Sequence, residues 1–218
     1  MPRSPPQRTD QRFFPFAGIE VVCACSMPSR QAVLLLVASL VAGCATSPSP
    51  SPIQRWVDQQ GGLVNDPRQQ RVAAAAQPVL ACCHGRSVTI AVFASDQLCA
   101  FAWPSGHIFI SRGLVDHLTD HELAAAIAHE LGHLLCDGRL ETVVSLKGTS
   151  TSTDREVRAD AAGLALLYAA NIPPQSMLTM LQKVCASVNS TQCRTAMQQR
   201  IQLLSLEIAS TRSNNFCQ

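Results

Sequence analysis

His129, Glu130 and His133 stand in the run His129-Glu130-Leu131-Gly132-His133, and Glu156 and Asp160 follow 23 and 27 residues after the second histidine. On a helix, residues four apart project from one face, so the two imidazoles can hold one tetrahedral zinc ion between them. Glu130 is one residue on, beside the position such a site leaves open. There a carboxylate can take a proton from an attacking water and later hand it to the leaving amine. The spacing describes metal-assisted hydrolysis of a peptide bond, with one Zn2+ per chain.

The elements that must position these groups are legible on either side. Residues 122–128 are strong helix formers, and Leu131, Leu134 and Leu135 continue their apolar pattern, which predicts a helix from Thr119 or Asp120 to about Asp137 or Gly138. A third ligand has competing readings. Thr153 to Glu156 has the form of a capping box, in which Glu156 satisfies a backbone N–H at the start of a second helix. Cys136 shares the face of His129 and His133, but seven residues of straight helix rise about 10 Å, too far for three side chains to converge on one ion. Glu156, on a second helix, closes the site better. Asp160, one turn later, can receive the far N–H of a ligating histidine and fix its tautomer. His117 and His121 also stand four apart, but no general base accompanies them, and His121 falls where the helix only begins. They read as surface histidines.

Upstream, residues 53–80 read as helix, clearest over 71–76, and 87–93 alternate as a strand. Residues 99–103 and 107–111 form a hairpin around Pro104, Ser105 and Gly106. Residues 113–118 open the helical half. The second metal helix is expected to end near Asn171, before the break at Pro173 and Pro174, and two amphipathic helices follow over 177–188 and 197–208.

Residues 1–43 read as an N-terminal extension and a lipoprotein signal. Arg30 precedes an apolar run over 32–42 that is too short to span a bilayer, and Val41-Ala42-Gly43-Cys44 supplies small residues before a cysteine that can be acylated. Residues 1–26 fit that signal badly, which points to translation from Met27 or to their removal with the signal. Residues 44–52 are the acylated cysteine and a stiff Pro/Ser tether. Residues 53–218 form one domain with a sizeable core. From Cys44 onward the chain carries 13 Lys plus Arg and 13 Asp plus Glu, so the formal net charge of +2 lies in the part removed. No basic face argues for nucleic acid. Seven further cysteines, an odd number, leave at least one thiol unpaired within a monomer even where disulfides form.

Residues 100–114, 121–133 and 156–163, in that order, resemble peptidase family M48, most nearly its soluble periplasmic branch, similar to bacterial outer-membrane quality-control peptidases and to the catalytic domain of the mitochondrial Oma1 type. The resemblance implies an α+β fold, mainly helical: a compact zincin of the gluzincin kind with a small β-sheet. It implies His129, His133 and Glu156 as zinc ligands, Glu130 as general base, and Asp160 behind a ligating histidine. It further implies that His107, Ile108, Phe109, Ile110 and Ser111 form the edge strand along which a substrate backbone adds. The expected activity is zinc-dependent endopeptidase action on unfolded or misassembled envelope proteins. The expected location is the periplasm, with a lipid anchor at Cys44 in the outer membrane. The rival reading is a noncatalytic zinc lipoprotein acting as chaperone or assembly factor. The chain departs from many relatives in having Cys99 before the Ala100-Phe101-Ala102 run, and in lacking a His-Pro pair ahead of Arg200-Ile201. Cys193 is a candidate to occupy the open metal position instead.

Overall fold

The structure, a computed structural model, describes residues 19–21, 51–83, 87–136, 144–145 and 153–215. Cys44, the apolar run over 32–42 and most of the tether lie outside these residues. The described chain is mainly helical, with a small mixed sheet. Its elements run β1 (Ile19–Val21), α1 (Pro52–Gln59), α2 (Pro67–Ala81), β2 (Val88–Phe93), β3 (Ala100–Trp103), β4 (His107–Ser111), α3 (Arg112–His117), α4 (Asp120–Cys136), β5 (Val144–Ser145), α5 (Thr153–Ala169), α6 (Gln175–Ser187) and α7 (Thr191–Asn215). No disulfide joins the described cysteines.

The single helix expected over 53–80 is two helices. Gly61 and Gly62 both take positive φ, and a Cβ on Gly61 would stand 2.9 Å from the Ala94 carbonyl oxygen, so the chain must turn there. Asp66 then caps α2 by accepting from the Arg68 N–H at 2.8 Å, with Pro67 in the first turn. Between the helices, the Val64 N–H donates to the Val92 carbonyl at 2.8 Å, so the connection covers part of β2's outer edge. The Gln69 side-chain amide covers the middle of it, donating to the Ile90 carbonyl and accepting from the Val92 N–H. β1, from the stretch expected to be removed, pairs antiparallel with Val88, Thr89 and Ile90.

The strand order is β1-β2-β4-β3-β5. β3 and β4 form the expected antiparallel hairpin, with Phe101 opposite Phe109, and β2 lies parallel to β4 on its other side. His107–Ser111 is therefore an interior strand, which corrects the expectation that it is a substrate-binding edge. The physical reason is its apolar centre: Ile108, Phe109 and Ile110 are buried, alternating between the two faces of a sheet covered on both sides. Ser111 is buried too, and its hydroxyl accepts from the Leu114 N–H, capping α3, and from the Cys99 N–H.

On one face of the sheet, α1 sets Trp56 edge-on against Phe93 and Phe101, with ring centroids 5.4 and 5.0 Å away. The opposite face, carrying Ile90, Val92, Ala100, Ala102, Ile108 and Ile110, joins the main core with α2, α4, α5 and α6. α4 runs through that core and is buried from Glu122 to Leu134, so polar groups on it lie in a dry interior. Arg68 pairs with Asp116 and Arg71 with Asp120, and the Arg71 guanidinium also donates to the Val115 and Leu118 carbonyls. These contacts tie α2 to the start of α4. Asn171 takes a positive φ of 55° just past the end of α5, and the chain turns into Pro173 and Pro174.

Candidate metal centre

α4 and α5 cross where both are narrow. At Gly132 a Cβ would stand 3.0 Å from the carbonyl carbon of Ala159 and closer still to its oxygen. At Gly163 it would stand 3.0 Å from backbone atoms of Ala128. Two glycines facing the partner helix's backbone thus bring the axes together, and the approach carries Glu156 and Asp160 of α5 up to His129 and His133 of α4.

The three expected ligands converge. His129 Nε2 and His133 Nε2 are 3.1 Å apart, and the Glu156 carboxylate lies 3.5 Å from each through one oxygen or the other. An ion bound tetrahedrally about 2 Å from each donor needs donor separations of about 3.3 Å. The triangle has that size. All three side chains are buried, His129 at 0%, His133 at 2% and Glu156 at 3% exposed. They form the one metal-competent cluster of His, Cys, Asp or Glu among the described residues. Two imidazoles and a carboxylate suit zinc, and three protein ligands leave a fourth position for water or substrate.

The Glu156 carboxylate lies against the two histidines and Arg200, which favours the ligand reading over the cap. Cys136 is exposed and points its thiol at the Arg158 carbonyl, 3.8 Å away. Cys193, in the first turn of α7, is seven residues and about 10 Å of helix from Arg200, the residue of α7 that reaches the site. Neither thiol joins the cluster, which corrects the assignment of Cys193 to the open position. His117 and His121 are exposed on different helices, as expected of surface residues. His107 stacks on Phe109 and bonds to Ser105 at 2.8 Å, away from the ligands in function as in register.

Asp160 lies against His129. Its Oδ1 lies 2.8 Å from His129 Nδ1, so the ring's far nitrogen faces a carboxylate while Nε2 faces the other donors. The sequence reading assigned no role to Arg200, although it is 3% exposed and sits at the centre of the acidic group. Its guanidinium grips Asp160 through two hydrogen bonds of 2.8 and 2.7 Å and reaches the Glu156 carboxylate at 2.7 Å. One fork thereby fixes both the ligand and the residue that orients His129. Burial resists ionisation of both carboxyls. The His129 and Arg200 charges outweigh it, holding Glu156 at about 2 and Asp160 well below the usual carboxylate range.

Glu130 is fully buried, and neither carboxyl oxygen has a well-formed hydrogen-bond partner. Burial, opposed by His129, pushes it up to about 8. Burial would lower His129, but Asp160 and Glu156 raise it to about 9. A buried carboxyl thus stands next to three converging donors.

The geometry defines a candidate metal centre of two histidines and a glutamate in a mainly helical α+β domain. Residues 64–148 match the model of peptidase family M48, a stretch that includes β2 to β5 and His129, Glu130 and His133 but stops short of Glu156. A 51-residue stretch is 39% identical to the metalloprotease LoiP of Escherichia coli (strain K12), covering 23% of this chain and 20% of that protein. The likeness to peptidase family M48 is thus carried by residues 64–148, and the match to LoiP spans about a fifth of that protein's length.

Proposed function

We propose that this protein is a zinc-dependent endopeptidase acting on unfolded or misassembled envelope proteins. The observation that carries the reading is the buried triangle of His129, His133 and Glu156 with the buried carboxyl of Glu130 beside it. His129, His133 and Glu156 would hold the zinc, which would supply Lewis acidity for activating a water and polarising the scissile carbonyl. Glu130 accepts the proton of the attacking water and returns it to the leaving nitrogen. Arg200 and Asp160 hold Glu156 and His129 in place, so that little reorganisation is needed during the reaction. An unfolded substrate suits a site entered from a sheet edge, because strand addition reads backbone rather than side chains. The anchoring reading rests on the residues before Cys44: acylation there would hold the domain on a short tether to the periplasmic face of the outer membrane. Among the described residues no helix is long and apolar enough to cross a membrane.

The rival is a chaperone or assembly factor that uses the same metal centre structurally. Structural zinc sites are closed by four protein ligands, and this cluster has three. Two substitutions separate the readings. Glu130→Gln is expected to keep about one zinc per chain and lose cleavage of an unfolded casein, while Glu156→Ala loses the zinc. Full cleavage by Glu130→Gln would reject Glu130 as the base, and zinc with no cleavage in the wild type would favour the rival. Incorporation of labelled fatty acid that persists in Cys44→Ser would reject the anchor.

A further inference from the structure

The sheet ends on a strand whose position has a bearing on substrate entry. β3 pairs with β4 along one side, and its other side is occupied by β5, with Phe101 opposite Ser145 and Ala102 opposite Val144. β3 packs against α4, and the Ala102 backbone N–H is close enough to act on the Glu130 carboxyl. The outer edge of β3 is thus the backbone edge nearest the general base, and this chain's own Val144 and Ser145 take it. In sequence they fall between α4, which ends at Cys136, and α5, which starts at Thr153. β5 is therefore tied at both ends to the helices that carry the metal ligands.

β5 spans two residues, whereas β3 offers four. A longer extended segment can pair along positions of β3 that β5 does not reach, so it can outcompete β5 although β5 is always present at high effective concentration. Short edge strands also protect a sheet from unwanted pairing, a role β5 meets without any link to catalysis. Only the catalytic role requires β5 to leave when substrate arrives.

We propose that β5 is a built-in competitor: Val144 and Ser145 occupy the strand edge that an extended polypeptide substrate must take, so engagement displaces β5 from β3. This rests on the peptidase reading above, in that the displacing strand is the substrate.

The experiment uses the full chain carrying Glu130→Gln, so that binding is read without hydrolysis, and a fluorescent peptide from an unfolded casein as the probe. Val144→Pro with Ser145→Pro removes the strand's donors. The Kd is expected to tighten about tenfold, the scale of one or two lost backbone hydrogen bonds. An unchanged or weaker Kd in a variant with wild-type circular dichroism and zinc content would overturn the proposal. If the double-proline chain does not fold, hydrogen exchange on the chain with β5 intact decides. Saturating peptide should raise exchange at 144–145 while Phe101 and Ala102 stay protected. Bound peptide with 144–145 still protected, or no binding at all, overturns it. The two readings fail differently: displacement of β5 in a protein whose wild type cleaves nothing counts against the peptidase, while cleavage with β5 in place counts against the competitor.

Discussion

Gly132→Ala adds one methyl group at the crossing of α4 and α5, and the structure sets its effect on the metal centre. The new Cβ would lie 3.0 Å from the carbonyl carbon and Cα of Ala159 and nearer to the oxygen. These are backbone atoms of a helix, so no side-chain rotation relieves the overlap. Carbon atoms pack at about 3.5–4.0 Å, so α5 must retreat by about 1 Å. Ala159 sits between Glu156 and Asp160 and takes both with it. The two 3.5 Å edges from Glu156 to the histidines would open to about 4.5 Å. Donors each about 2.1 Å from an ion cannot stand more than about 4.2 Å apart, so the three could no longer share one. Overpacking of this kind costs about 1–3 kcal/mol, which a domain of this size survives. The expected result is a folded protein whose zinc affinity, read by competition with a chromophoric chelator, falls by about 100-fold or more, with hydrolysis falling at least in step. Gly163→Ala is the control on the same helix pair. There the nearest atom is the flexible Met177 Cε at 2.8 Å and the Ala128 backbone is 3.0 Å away, so a smaller loss is expected. Wild-type zinc affinity in Gly132→Ala would refute the claim that this close approach sets the ligand triangle.

Two further substitutions test the groups around the centre. Arg200→Met leaves Glu156 and Asp160 buried without their guanidinium, and should cost about 3–5 kcal/mol in urea unfolding with a chelator present; a loss under about 1 kcal/mol would remove Arg200 from the role of charge partner. Glu122 is buried at the start of α4, where burial opposes its ionisation but the Lys183 ammonium at 2.6 Å and the Thr119 N–H hold it at about 2, against an ordinary 4.5. A carboxyl depressed in the folded state adds stability that is complete above about pH 4.5 and lost as the pH falls towards 2. Lys183→Met should therefore reduce stability at neutral pH and flatten the acid limb of stability against pH; an acid limb parallel to that of the wild type would show that the pair does not set it.

Much of the centre was legible because its geometry is local. Histidines four apart on a predicted helix must share a face, and Glu156 and Asp160, four apart on the next, must do the same; only the meeting of the two helices lay beyond spacing. Its signal was present in Gly132 and Gly163, small residues in otherwise good helices. Arg200 was harder. It lies 40 residues beyond Asp160, and an arginine is by default a surface residue. Yet it falls in step with Met197, Leu204 and Ile208 on the buried stripe of α7, and a charge on an apolar stripe calls for a buried partner. The place of His107–Ser111 within the sheet was not legible from the hairpin alone, because pairing with β2 is a long-range choice. The break between α1 and α2 was written in Gly61, Gly62 and the Asp66-Pro67 start.

The buried charges give an argument for the cation that does not depend on the motif. Glu130, Glu156 and Asp160 are all at most 3% exposed, and the one permanent positive charge among them is Arg200. If all three carboxyls ionise, two negative charges stay uncompensated in a dry interior, which is costly enough that something must neutralise them. The elevation of His129 to about 9 and of Glu130 to about 8 is one solution, in which two protons are held where water would not hold them. A divalent cation on His129, His133 and Glu156 is the other. It supplies two positive charges at the point where both histidine Nε2 atoms and the Glu156 carboxylate converge, and leaves Glu130 ionised beside it, able to take a proton. With the ion bound, the three carboxyls would divide the work, Glu156 binding the ion, Asp160 orienting the ring that binds it, and Glu130 moving the proton. Arg200 carries the charge that the ion does not, and without it the same three acids would overfill the site by one.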